Sequence, residues 1–179
     1  MEETKNENGT IQLKSPKREY KVEVFDHDYV FSRWQEIEEI LYRVFGESNF
    51  NNNWSTTRPA EHTWKMITEP YQEGLKHVIA LDSNNEILGA FFVIPAYKPE
   101  GKKDCDLGWI FTIELHLKFR YEVLNAIVYQ VHEVTKNAGF ARIITEMETE
   151  TGAKFLSKKH AYIHTPTPEN LNILTKELN

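Results

Sequence analysis

A single cysteine, Cys105, is all that the 179 residues contain. No disulfide can form within the chain, and such sparing use fits a reducing compartment, so the expected localisation is cytoplasmic. Long apolar runs are missing as well. The longest, near residues 88–96, is interrupted by Gly89 and Pro95 and falls far short of the roughly 20 residues that span a bilayer. The N-terminus has no basic start followed by an apolar stretch, so it does not read as a secretion signal. Positive charge is in deficit, with 21 Lys and Arg against 27 Asp and Glu and a formal net charge of -6. That balance argues against a nucleic-acid partner, which needs a basic face. Residues 1–17 are polar and rich in Glu, Lys and Asn, and read as disordered or as a leader to the first strand. The remainder, 18–179, suits one domain: 40% of the chain is hydrophobic and 27% charged, an ordinary globular mixture.

Residues 20–26 (YKVEVFD) alternate apolar and polar side chains and predict a strand. Asp26-His27-Asp28 predicts a turn and helix cap. A helix over 30–45 follows, with Trp34, Ile37, Ile40, Leu41, Val44 and Phe45 at helical spacing and Gly46 as its stop. Residues 47–57 hold four Asn and few aliphatics and predict an irregular loop. A second helix fits 58–73, with Pro59 suited to the first turn and Pro70 ending or bending it. Strands over 76–82 and 86–97 are joined by Ser83-Asn84-Asn85, where Asn tolerates the left-handed backbone of a tight hairpin. A charged loop, 98–106, leads to strict alternation over 107–118, which predicts a long strand. Leu107, Trp109, Phe111, Ile113, Leu115 and Leu117 point one way; Gly108, Ile110, Thr112, Glu114, His116 and Lys118 point the other. Residues 120–137 predict the clearest helix, with a stripe of Val123, Leu124, Ile127, Val128, Val131 and Val134 and Gly139 as a stop. A strand at 140–147, a helix at 151–159, a last strand at 160–164 and a capped helix over 167–178 complete the chain. A strand, helix and strand in succession imply a parallel crossover within a mixed sheet.

This order of elements resembles the GNAT (N-acetyltransferase-like) superfamily over roughly residues 20–165. Three segments carry the resemblance. Asp82-Ser-Asn-Asn-Glu-Ile-Leu-Gly89 is similar to the family's second hairpin. A long strand runs into a helix that ends at Ala138-Gly139-Phe140. Ala153-Lys-Phe-Leu-Ser-Lys-Lys-His-Ala-Tyr162 resembles the late helix and strand, with Ala161-Tyr162 where the family has Gly-Phe. The resemblance implies an α/β (α+β) fold with a mixed, mostly antiparallel central sheet flanked by helices. It implies acetyl-CoA or another acyl-CoA as co-substrate. The family's phosphate loop, in which glycines let backbone N–H groups approach a pyrophosphate at a helix N-terminus, corresponds to Arg120-Tyr-Glu-Val-Leu-Asn125. Arg120 matches, Val123 and Asn125 replace the small residues, and Glu122 opposes an anion. The implied donor site is therefore a degenerate one, formed by Arg120, Val123, Leu124 and Asn125, with the backbone of Leu115 and Leu117 along the pantetheine arm.

Acyl transfer to an amine needs a base, a stabilised oxyanion and an acid for the leaving thiolate. By the resemblance, Glu114 or His116 would be the base. Their structural alternatives are an ion pair with a Lys and an ordinary hydrogen-bonded His. The acid is commonly a Tyr on the late helix. Phe155 and Leu156 stand there and cannot donate, which leaves Tyr162 or Tyr129, each of which could instead be packed. His160 and His164 share a strand face in this reading but have no Cys or acidic neighbour, so no metal site is expected. Cys105 lies between two Asp, which disfavour a thiolate nucleophile. Trp34, Trp54 and Trp64 read as core, and loop 47–57 with Arg58 as the wall of an acceptor pocket. The expected activity is N-acylation of a small-molecule or peptide amine from a CoA-type thioester. Two alternatives stand beside it: an acyl carrier protein as donor, docking on Lys118, Arg120, Lys158 and Lys159, and a non-catalytic binding or structural protein. An open groove beside the central strand would favour the enzyme, and a groove filled by Val123 and Leu124 the binding protein. A homodimer is a further candidate assembly, and no membrane partner is expected.

Overall fold

The computed structural model describes residues 3–5, 11–13, 19–46, 58–68, 75–95, 100–106, 110–147, 149–166 and 172–178. Within the stretch expected as a leader, β1 (Glu3–Lys5) and β2 (Ile11–Leu13) pair antiparallel with each other. Strand β3 (Tyr20–Asp26) ends at Asp26, whose carboxylate accepts the Tyr29 N–H at 3.2 Å and so caps α1 (His27–Ser32). The helix expected over 30–45 is broken at Arg33, where the N–H reaches back to the Val30 carbonyl and closes α1. Helix α2 (Trp34–Gly46) then begins. The Arg33 guanidinium holds the break in place. It donates to the Glu36 carboxylate at 2.7–2.9 Å, to the Tyr29 hydroxyl at 2.6 Å and to the Asn85 carbonyl at 3.1 Å.

Helix α3 (Arg58–Thr68) starts as expected; its expected extension to 73 and the loop 47–57 lie outside the described residues. Strands β4 (Leu75–Asp82) and β5 (Ile87–Pro95) form the predicted hairpin. Asp82 accepts the N–H groups of Asn84 and Glu86 at 2.8 and 3.0 Å, and Asn85 takes the left-handed backbone, φ 62°. Short strands β6 (Asp104–Asp106) and β7 (Ile110–Thr112) follow, then α4 (Leu117–Asn137), β8 (Arg142–Met147), α5 (Glu150–His160), β9 (Ile163–Pro166) and β10 (Asn172–Glu177).

Two expectations are corrected. The strand predicted over 107–118 is extended only at Ile110–Thr112 among its described residues, and α4 begins at Leu117 rather than 120. Phe119 explains the early start. It lies four residues before Val123 and packs on the same apolar cluster, so the helical stripe reaches back one turn. The helix predicted over 167–178 is strand β10 where it is described. Asn172–Glu177 fits between β8 and β9, antiparallel to both, with Leu174 fully buried. Pairing on both edges outweighs the Thr-Pro-Glu capping signal.

The mixed, mostly antiparallel α/β architecture matches the expectation, with the strands from β3 onward divided between two four-stranded sheets. The first, in order β3-β4-β5-β7, is wholly antiparallel; the second, β6-β8-β10-β9, is parallel only between β6 and β8. Ile37, Leu41 and Phe92 lie in the core beneath α2 and α3. On the opposite face of the first sheet, Val123, Ile127 and Val131 of α4 meet Val78, Leu88 and Phe91. Val128 of the same helix joins Ile143, Leu156 and Leu174 beneath the second sheet. Helix α4 thus seals both sheets.

Gly89 allows a close approach between β5 and β7. A Cβ there would lie 2.6 Å from the Phe111 carbonyl oxygen and 2.9 Å from Thr112 Cγ2. We expect Gly89→Ala to cost about 2 kcal/mol, as β5 and β7 are forced apart. A urea titration of both proteins measures it; equal midpoints would mean that β7 yields freely.

Candidate active site

The segment from Asp104 to Thr112 serves both sheets. Its first part, β6, pairs in parallel with β8, setting Asp104 against Arg142 and Asp106 against Ile144. Arg142 fastens this end: its Nε and Nη2 donate to the two Asp104 carboxylate oxygens at 2.7 and 2.8 Å. The guanidinium holds the Asp104 carboxyl below the usual carboxylate range. Carried forward at the same offset, the register would set Ile110–Thr112 against 148–150. There β8 has ended, α5 begins at Glu150, and β7 is paired with β5 instead. The inner edge of β8 at Thr145–Met147 has no strand partner among the described residues.

Helix α4 follows β7 and α5 follows β8, so the two helices inherit this divergence. Between them lies a cleft of about 570 Å³, lined by Tyr121 and Asn125 of α4 and by Thr151, Lys154, Phe155, Lys158 and Lys159 of α5. The α5 residues fall on one helical face, at i, i+3, i+4, i+7 and i+8. The opposite face, Ala153, Leu156 and His160, is buried. The Thr149 hydroxyl caps α5 by accepting the Gly152 N–H at 3.1 Å. Lys154 pairs with Glu150 at 2.6 Å, and Lys158 and Lys159 form no ion pair among the described residues.

Behind the cleft wall, a row on α4 meets α5 and the start of β9. Asn125 Oδ1 lies 3.0 Å from His160 Nε2, and His132 Nε2 lies 3.0 Å from the Tyr162 hydroxyl. The His160 ring also touches Phe155 and Tyr129 edge-on, at 5.1 and 5.3 Å between centroids. Burial, then His160 and Lys176, lowers the His132 pKa to about 4. Burial and Lys176 lower that of His160, and burial pushes the Tyr162 phenol up. The histidine pair is therefore neutral near pH 7.

The sequence candidates are dispersed around this geometry. Glu114 is exposed in the turn between β7 and α4. His116 is exposed at the N-cap of α4 and makes no side-chain capping bond. Neither lies on a strand, because β7 ends at Thr112. Leu115 is buried in the core, whereas Leu117 opens α4 and is 61% exposed, so the two do not share a strand face. Arg120 lies in the first turn of α4, its N–H already bonded to the His116 carbonyl at 2.9 Å. Its Nε is buried with no hydrogen-bond partner among the described residues. Val123 is fully buried and Leu124 packs on the third core cluster; neither lines the cleft. Among these candidates Asn125 does line it, while Tyr162 is buried against His132. Tyr129 is exposed, with its ring against His132 and His160.

Other sequence readings shift too. His160 closes α5 rather than opening a strand. It does not face His164, whose Nε2 lies 2.7 Å from Asn172 Oδ1. Cys105 is buried in the third core cluster. Trp34 packs against the core but Trp64 is 40% exposed, stacked on Phe31; Trp54 lies outside the described residues, as does the Arg58 side chain. Sequence reasoning missed Tyr121, Thr151 and Lys154 as lining residues and assigned Lys158 and Lys159 only to carrier docking. The usable signal was the polar face of α5, offset from its apolar one.

Two predictions follow from this network. Ala161 takes a left-handed backbone, φ 55°, as it turns α5 into β9 between His160 and Tyr162. Ala161→Gly should raise stability by about 1 kcal/mol or less, because glycine carries no Cβ penalty there. Thermal melting decides; a lower midpoint would show that the turn is unstrained. The second concerns acid. His132, lowered to about 4, and buried His77, lowered to about 3 chiefly by burial, stay neutral in the folded chain. Unfolded, both protonate near 6.5. Between those values the unfolded state binds more protons, so stability is full above pH 6.5 and falls as pH drops towards 4. His132→Gln, which can still bond Tyr162, should flatten that decline in melting point between pH 6.5 and 4. An unchanged profile would remove His132 from the account.

No family model matches the chain, and no curated protein sequence matches it. Solved structures do. The C-terminal condensation domain of Ebony in complex with beta-alanyl-dopamine superposes with a TM-score of 0.66 at 12% identity, covering 89% of this chain and 99% of that one. A GNAT family N-acetyltransferase from Escherichia coli in complex with CoA gives 0.63 at 13% identity, covering 94% and 86%. An aminoglycoside 6'-acetyltransferase type Ii gives 0.64 at 14% identity, covering 89% and 97%.

Proposed function

Because the chain has the GNAT fold, we propose that it is an N-acyltransferase that moves an acyl group from a CoA-type thioester to an amine of a small molecule or peptide. The observation that carries this reading is the open cleft between α4 and α5, the helices that follow β7 and β8. Val123 and Leu124 turn into the core and leave it unfilled. The CoA bound by the E. coli neighbour and the beta-alanyl-dopamine bound by the Ebony domain support these two reactant classes.

In the reaction the amine nitrogen attacks the thioester carbonyl carbon and a C–N bond forms. The C–S bond then breaks, the amine proton passes to a base, and the thiolate leaves and is protonated. We assign the base to Glu114, the exposed carboxylate between β7 and α4, with His116 as its neighbour. Tyr162 remains the candidate for the thiolate's proton, acting from the end of α5; its bond to His132 would have to be exchanged for one to sulfur.

A second reading, a non-catalytic binding or structural protein with the GNAT fold, is favoured by the early start of α4. Residues 120–125 are helix and offer no loop of free N–H groups.

Thermal melting with acetyl-CoA and longer acyl-CoAs tests the donor. At 100-fold above the dissociation constant, a ligand of the folded state adds about 2.7 kcal/mol, roughly 5–10 °C for a chain of this size. Glu114→Gln should keep that shift and lose about 100-fold or more in kcat with a competent amine. No shift with any acyl-CoA would overturn the CoA reading. A shift without turnover of any amine would favour the binding protein.

A further inference from the structure

Resting on the reading of the cleft as the donor site, we infer that this chain holds the nucleotide end of its donor with side chains of α5, Lys158 and Lys159 above all, and not with backbone N–H groups at the start of α4. Only the first turn of an α-helix has N–H groups without an intrahelical partner. In α4 those are the N–H groups that precede Arg120, whose own N–H already donates to the His116 carbonyl; acidic Glu114 lies just before them, and none of these residues lines the cleft. Tyr121 and Asn125, the α4 residues that line the cleft, stand deeper in the helix, where N–H groups point to the preceding turn. An anion in the cleft therefore meets side chains.

The cations in the lining are Lys154, Lys158 and Lys159. Glu150 engages Lys154 at 2.6 Å, while Lys158 and Lys159 form no ion pair among the described residues. Both are exposed and stand one turn along from Lys154 and Phe155, over the same cavity. In the same lining, Tyr121 of α4 and Phe155 of α5 form an aromatic floor, with ring centroids 5.8 Å apart and tilted by 32°. The Tyr121 ring keeps an exposed surface. Flexible ammonium groups over an aromatic floor suit a nucleoside carrying more than one phosphate: the base lies on the rings and the phosphates take the lysines. Such a site recognises the 3′-phosphoadenosine diphosphate part of CoA and gives no grip on the pantetheine arm.

Lys158 and Lys159 also sit in the last turn of α5, where cations complement the helix dipole. Binding separates that role from this one. Calorimetric titrations would use CoA, adenosine 3′,5′-bisphosphate and 4′-phosphopantetheine as probes, with the wild-type chain and the double variant Lys158→Gln, Lys159→Gln. The wild type should bind CoA and, more weakly, the bisphosphate, and both affinities should fall as salt is raised. The double variant should melt within a few degrees of wild type and lose about tenfold or more in affinity for CoA and the bisphosphate. Its affinity for phosphopantetheine should be unchanged and its residual CoA binding less sensitive to salt. Equal CoA affinity in the two proteins would overturn the inference and leave the donor reading standing. Loss of phosphopantetheine binding in parallel would also overturn it, since the lysines would then be holding the cleft together. A wild type that binds none of the three probes would overturn the donor reading and the inference with it.

Discussion

Arg142 grips Asp104 across the parallel pair β6–β8, and by Ile110–Thr112 the same stretch of chain is paired with a different neighbour, β5. Much of the architecture follows from that change of partner. Because β7 is paired with β5, the strands have parted by the time each enters its helix. Helix α4 must then cover two sheets at once, which its long apolar surface allows. Val123, Ile127 and Val131 serve one sheet, and Val128 with Leu124 the other. Helix α5, seated on the second sheet by Ala153 and Leu156, is set apart from α4 on its outer side, and the cleft is the space that remains.

That origin gives the cleft two kinds of wall. Its inner wall is rigid, because Asn125 is bonded to His160 and His160 is packed between Phe155 and Tyr129. Neutral imidazoles suit this place: burial disfavours the charged form, and each ring nitrogen can accept or donate to an uncharged partner. Its outer wall is a row of lysine side chains whose charge reaches solvent. Under the proposed reading, the inner wall sets the width of the site while the outer wall supplies the attraction. Specificity for a phosphate-bearing donor then belongs to α5 more than to the start of α4, where glycines would be needed for close backbone approach.

Local chemistry was legible wherever a few neighbouring residues decide the conformation. The Asp26 cap, the Asn85 turn and the Gly139 stop appear as read, because each depends on one side chain or one backbone angle. The hairpin β4–β5 and the helical stripe of α4 were legible for the same reason, as was the mixed α/β class that their order implies. The start of α4 was not. Residues 113–118 satisfy strand alternation on paper, no capping side chain marks the boundary, and the outcome turns on Phe119 and Leu115 reaching the cluster built by β4 and β5. Nor was β10, whose strand state rests on hydrogen bonds along both edges, to β9 just before it and to β8 on the far side of α5 in the chain.

The candidate site divides along the same line. By itself, the sequence determined the identities available for chemistry: Glu114 and His116 before the central helix, Asn125 and Val123 where small residues would be expected, and a lysine-bearing polar face on α5. Tertiary structure alone decided that Val123 is core, that Asn125 answers to His160, that His132 answers to Tyr162, and that Lys158 and Lys159 overlook a cavity shared with Tyr121. Those relations join residues some 30 or more positions apart in the chain, and they exist because two sheets part at one short segment, a consequence of long-range strand pairing that no local pattern encodes.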